Sequence, residues 1–301
     1  MKNDLKIIFF GTPDFAVPVL KELLKNSYSV VGVFANNGQV EIEAKNQGIK
    51  VFKPDSLKKD EVFEQFKSLN PDLCVIAAYG KIIPSRYLDI PKHGFLNVHP
   101  SVLPKYRGPS PVQTAILNGD TETGASIMIV DQEIDHGPIL ASVKYKIPLI
   151  KYHNEIAGEI FRLGGKLLVE TLPKYINKEI KSHEQDHSQA TFTKMFTRDD
   201  SKIDWNKTAE EIFNKIRALN PEPGTWTKWN GKVLNIKEAQ PLYLEVEPLS
   251  TGLVQKIHNN IAVVTKKCYL ILKQVQLEGG KEMDAKAFLN GHPDFLGSRL
   301  E

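Results

Sequence analysis

Gly94-Phe95-Leu96-Asn97-Val98-His99-Pro100-Ser101-Val102-Leu103-Pro104-Lys105-Tyr106-Arg107-Gly108 is the stretch on which the fold turns. It opens as a short apolar strand. Strand side chains alternate, so Asn97 and His99 leave the same face. Pro100 ends the strand, and Pro104 and Gly108 close a rigid loop. Further along, Ile134-Asp135-His136-Gly137-Pro138 sets an acid on a turn. An amide, an imidazole and a carboxylate converging at the end of a sheet form a kit for acyl transfer. They supply a donor for the oxyanion, a general acid or base, and a group to orient it. The same residue types also serve as plain loop caps and turn formers, and the pattern by itself leaves both uses open.

Upstream, Leu5 to Phe10 is an unbroken apolar run ended by Gly11, the mark of a parallel strand buried on both faces. Helical spacing follows at Val17, Leu20, Leu23 and Leu24. Strands are expected at Tyr28 to Ala35, Val51-Phe52 and Leu73 to Ala78, with a helix from Lys58 to Leu69 stopped by Asn70-Pro71. This alternation predicts an α/β fold, a Rossmann-like open and mostly parallel sheet with right-handed crossovers. Such sheets bind ligands at the carboxyl ends of their strands, where Gly11-Thr12, Tyr79-Gly80 and Asn97 to His99 all fall. Gly11-Thr12-Pro13-Asp14-Phe15 lacks the second and third glycines of a dinucleotide fingerprint, which argues against a nicotinamide cofactor. Downstream, Pro111 to Leu117 reads as a helix, and Gly124 to Val130 and Ile139 to Ile147 as a hairpin-like pair with Asp135 on the connection. Glu155 to Leu168 has the spacing of a helix covering one face of the sheet.

At 301 residues the chain suggests two domains. The expected division is a catalytic domain over 1–180, a linker over 181–203 and a second domain over 204–301. The linker reading rests on the polar run Ser182 to Gln189. Its His183 and His187 have no accompanying Cys or carboxylate scaffold, so no metal site is expected. Thr208 to Leu219 is an amphipathic helix broken by Asn220-Pro221. Beyond it, short strand-like pieces with frequent turns predict a small oligonucleotide-binding (OB)-like β-barrel. Lysines from Lys228 to Lys273 alternate there with apolar residues, either as a solvated face or as a phosphate-contacting one. With 41% hydrophobic and 25% charged residues and a net charge of +3, the chain is ordinary globular material, too weakly basic to mark a nucleic-acid binder by charge alone. Cys74 and Cys268 each read as a buried free thiol on a strand. With no signal-peptide pattern and no apolar run long enough to span a bilayer, a cytoplasmic location is expected.

The block Asn97-x-His99-x-Ser101 with Leu103-Pro104 and Arg107-Gly108, then Asp135-x-Gly137, resembles the signature of the folate-dependent formyltransferases. Asn118-Gly119-Asp120-x-Glu122-Thr123-Gly124, Ile203-Asp204-Trp205 and Ile216 to Gly224 are similar to the branch of that family that carries a C-terminal barrel and acts on tRNA. The resemblance covers nearly the whole chain. It implies transfer of a formyl group from 10-formyltetrahydrofolate to the α-amine of initiator methionyl-tRNA, with no metal required; separately, a monomer is expected. By position, Asn97, His99 and Asp135 correspond to the family's catalytic trio, and Ser101, Val102, Leu103 and Pro104 fall on its folate-contacting loop. One departure stands out. Where the family continues after Phe34 with a long basic loop, Ala35 to Glu41 carries no Lys or Arg, so no tRNA-binding residue is carried over from it. That shortening fits a second reading, a formyltransferase for a small amine such as an amino-sugar nucleotide or glycinamide ribonucleotide. A third reading is a non-catalytic RNA-binding protein with a vestigial α/β half, which the intact trio opposes.

Overall fold

The computed structural model describes residues 4–244 and 250–301, and the chain divides into two compact units. The first comprises the chain up to Val112 with Thr121–Pro148 and Asn154–Lys194. The second takes Gln113–Asp120, Leu149–His153 and Met195–Glu301.

In the first unit, β1 (Lys6–Gly11), β2 (Ser29–Phe34), β3 (Val51–Phe52), β4 (Leu73–Ala77) and β5 (Phe95–His99) run parallel. The hairpin of β6 (Glu122–Ile129) and β7 (Ile139–Lys146) adds to β5 antiparallel, giving the order β3-β2-β1-β4-β5-β6-β7. The order reverses at β1, which opens a crevice at the carboxyl ends of β1 and β4. Alternate residues of β1 face opposite layers. Ile7 and Phe9 pack with Val19, Leu20 and Leu23 of α1 (Val17–Lys25) and with Phe161 and Leu168 of α6 (His153–Ile176). Ile8 and Phe10 pack with Phe66 of α3 (Asp60–Ser68) and Tyr87 of α4 (Ser85–Leu88). A shorter helix, α2 (Gln39–Asn46), completes the set, while α5 (Pro111–Leu117) falls in the second unit from Gln113 onward. Helix α6 runs past both ends of the expected segment. It comes close to the sheet because Gly164 has no Cβ, which would stand 2.5 Å from a methyl of Val98.

The polar run expected to be a linker is tied to the first unit as far as Lys194. His183 exchanges backbone hydrogen bonds with Ile139, and Arg107 pairs with Thr191 and Thr193 in the same way. Polar side chains suit an edge of this kind because they satisfy backbone groups that the sheet leaves over.

The main segment of the second unit, from Met195 onward, carries α7 (Ala209–Leu219), whose N-terminus is closed by a capping box between Thr208 and Glu211. Strands β8 (Trp226–Trp229), β9 (Lys232–Leu242), β10 (Val254–Ile257), β11 (Asn260–Val264) and β12 (Tyr269–Leu277) follow, then β13 (Met283–Asp284) and α8 (Ala285–Gly291). The antiparallel order is β10-β11-β12-β9-β8, with β13 beside β12. Register shifts where β12 passes β9 bend the long strands and curl the sheet into a half-barrel. One face closes on α7 and α8 through Ile212, Ile216, Leu234, Leu270 and Phe288. The expected place of Cys268 needs correction: it lies in the turn between β11 and β12 at a φ of +66°, because the strand it was read into starts only at Tyr269. Cys74 is buried on β4 as expected.

Candidate functional site

Leu96 and Val98 of β5 point into the core beneath α1 and α6. Asn97 and His99 therefore project from the opposite face. His99 is almost fully buried, and its Nε2 lies 2.9 Å from the Tyr106 carbonyl oxygen. A carbonyl can only accept, so Nε2 carries the hydrogen. The other nitrogen, Nδ1, is turned to Asp135 and stands 3.5 Å from its Oδ1. Asn97 Nδ2 donates to the same Oδ1 at 3.2 Å, and the Gly108 backbone N–H donates to Oδ2 at 2.8 Å. The carboxylate is thus gripped at both oxygens. The second N–H of the Asn97 amide has no acceptor among the described residues and is available to a ligand.

How Asp135 reaches this position is not evident from spacing. Strand β6 runs antiparallel to β5, with Ser126 opposite His99 and Ile129 opposite Leu96. The chain therefore leaves β6 at the end of β5 remote from His99, and residues 130–138 must turn back along β5. Asp135 makes that reversal at a φ of +49°, a left-handed conformation that strains a residue with a Cβ. Gly137 follows in close packing, since a Cβ there would sit 2.0 Å from the Ile129 carbonyl oxygen.

A second layer of polar groups lies behind the carboxylate. Arg107 is buried, and its Nε and Nη2 donate to Gln185 Oε1 at 3.1 and 2.7 Å, while Nη2 also donates to His187 Nδ1 at 2.8 Å. Gln185 Nε2 donates in turn to the carbonyls of Asp135, at 2.9 Å, and Gly137, at 2.8 Å. His187 stacks on His136 with ring centroids 4.1 Å apart, and His136 Nδ1 is bonded to Asp131 at 2.7 Å. His183 and His187 share no helix. The first sits in a backbone bridge and the second opens a 3-10 turn.

Ser101, Val102, Leu103 and Pro104 form the loop beyond His99. Ser101 is buried with its hydroxyl donating to the Lys105 carbonyl at 2.6 Å. Ser126 Oγ ties the loop down by accepting from Leu103 N and donating to the Ser101 carbonyl. Ser101 and Leu103 thus shape the loop, and Val102 and Pro104 are its half-exposed members. At the neighbouring strand ends, Thr12 Oγ1 accepts from the Asn36 N–H and donates to the Tyr79 carbonyl, joining the ends of β1, β2 and β4. Burial pushes the Tyr79 phenol up to about 12, so it stays neutral at physiological pH.

The structure brings Asn97 and His99 to the Asp135 carboxylate, Asn97 by a hydrogen bond and His99 with Nδ1 at 3.5 Å. The Tyr106 carbonyl and the Gly108 N–H escaped the sequence reading because backbone groups carry no residue signature. Gln185 escaped because it lies in a run whose composition is that of a loop.

Two family profiles match the chain: formyl transferase over residues 5–172, and the formyl transferase C-terminal domain over residues 195–293. A methionyl-tRNA formyltransferase of Chloroflexus aggregans is 39% identical over 95% of this chain and 97% of its own length. The corresponding enzyme of Bacillus pumilus is 35% identical over 98% of this chain and 97% of its own. Among solved structures, the Helicobacter canadensis N-formyltransferase in complex with folinic acid and dTDP-3-aminofucose is similar at a TM-score of 0.69, with 21% identity over 93% of this chain and all of that one. The last likeness is one of fold.

Proposed function

The chain belongs to the formyl transferase family, and from that premise we propose that it carries a formyl group from 10-formyltetrahydrofolate to the α-amino group of initiator methionyl-tRNA. The observation that carries this reading is similarity to methionyl-tRNA formyltransferases along the full chain, the C-terminal half-barrel included. A small-amine acceptor is the second reading, supported by the short segment between β2 and α2.

The geometry supports a division of labour at the reacting carbon. Attack by the neutral amine turns the formyl oxygen into an oxyanion, and the second N–H of Asn97 is the donor set to receive it. The amine must lose a proton and the folate nitrogen must gain one as the C–N bond to folate breaks. His99 and Asp135 handle that proton: Asp135 stabilises positive charge on the imidazole at Nδ1, and Nε2 is pinned by the Tyr106 carbonyl. The loop of Ser101, Val102, Leu103 and Pro104 holds the folate through Val102 and Pro104. The half-barrel engages the tRNA, and the enzyme works as a monomer in the cytoplasm, each unit closing its own core.

The test is a competition. Purified protein with formyl-folate is offered charged initiator tRNA, an amino-sugar nucleotide and glycinamide ribonucleotide side by side. Formyl-methionyl-tRNA is the expected product. Transfer only to a small amine would replace this reading with the second.

A further inference from the structure

We infer that Gln185 is a positioning residue for the reaction, setting the Asp135 carboxylate against Asn97 and His99 through the backbone of the turn that carries it. The inference rests on the assignment of Asp135 to catalysis given above. Three observations support it.

The Asp135 turn needs an external hold. It doubles back along β5 with a left-handed residue at its apex, and backbone in that state persists only where its surroundings over-determine it. Gln185 supplies the hold at the apex itself, where one Nε2 donates to the carbonyls of both Asp135 and Gly137. Both N–H groups of that amide are spent on the turn.

The same side chain also holds the loop on the other side of the site. Its Oε1 accepts twice from Arg107, whose neighbours in sequence are the two backbone groups that matter: the Tyr106 carbonyl, which fixes His99, and the Gly108 N–H, which grips Asp135. One buried amide therefore sets the spacing between the loop that orients the imidazole and the turn that presents the acid. Gln185 is 5% exposed, and its amide is satisfied on all sides.

The chemistry of the two ends explains why an amide suits this place. Arg107 needs an acceptor and the turn needs two donors, and only a Gln or Asn amide sets a carbonyl oxygen beside two N–H groups. Glutamate would keep the Arg107 contact and strengthen it, while presenting an anion to two carbonyl oxygens. Gln185→Glu is thus a nearly isosteric change that spares one half of the bridge and breaks the other.

The experiment measures formyl transfer to methionyl-tRNA by wild type, Gln185→Glu, Gln185→Met, Asp135→Asn and the double variants, with kcat normalised to folded enzyme by the stoichiometry of formyl-folate binding. Both Gln185 variants are expected to lower kcat roughly 10–100-fold, the order expected when a catalytic group is displaced by about an ångström. KM for both substrates should change less than about threefold, as for loss of an interaction made at the transition state. The pH dependence of kcat should move with the variants. In the Asp135→Asn background the Gln185 changes should cost little further, because the residue acts through that carboxylate. Variants that melt at lower temperature yet keep wild-type kcat per folded molecule would overturn the inference. So would losses that multiply fully with Asp135→Asn. Wild-type protein that transfers to none of the acceptors would instead refute the functional reading.

Discussion

Asn97 is asked to do two things with one amide. One N–H holds Asp135 Oδ1, and in the proposed reaction the other receives the developing negative charge. Asn97→Ala removes both, and kcat is expected to fall about 10²–10³-fold, the usual loss for one oxyanion donor. Single-turnover transfer rates with saturating tRNA measure it, and affinity for tRNA should be nearly unchanged. A fall in tRNA affinity with kcat intact would contradict the assignment. The pair Asn97 and His99 was readable because the two-residue period of a strand puts both on one face. Asp135 was readable only as a residue type, since its approach depends on how the connection 130–138 turns back.

The end of α7 shows how an element is held in place by groups outside it. Asn220, one residue past the helix, donates through Nδ2 to the carbonyls of Ile236 and Lys237 and to Thr225 Oγ1, and its Oδ1 accepts from Thr225 N. Its own carbonyl accepts from His153 Nδ1 at 3.0 Å. His153 is buried there, and burial holds its pKa below the ordinary value of 6.5, against the opposing pull of the Asn220 carbonyl and Glu222. The folded state thus binds a proton less readily than the unfolded chain. The contribution is present in full above about pH 6.5 and is lost as pH falls through that value toward the lower folded one. Melting temperatures measured from about pH 7.5 to 5.5 should decline more steeply for wild type than for His153→Gln, which keeps a donor for Asn220 but cannot be charged. Equal slopes would remove His153 as the cause. The helix and its Thr208 cap were legible in the sequence from spacing and capping residues, but the role of Asn220 was visible only as a helix stop.

At the scale of the molecule, the proposed function asks the two units for two kinds of binding with different physics. The lysines Lys228, Lys232, Lys256, Lys266 and Lys267 of the half-barrel are exposed. Contacts of lysine with phosphate release counterions, so kcat/KM for tRNA should fall steeply with salt, by a log–log slope of roughly −0.7 to −0.9 per phosphate contacted. Affinity for formyl-folate should change far less over the same range. Parallel losses for both substrates would contradict the division of labour. The order of elements, the parallel sheet, the β-rich second half and the candidate trio followed from the sequence itself, because hydrophobic period, Gly and Pro placement and motif spacing are local properties. The tertiary structure alone decided how the trio is assembled: a connection folded back along β5, a carboxylate gripped by a backbone N–H, and a polar run from beyond α6 wedged behind it. Those contacts join residues far apart in the chain, through backbone atoms that every residue possesses, and so leave no mark on residue type.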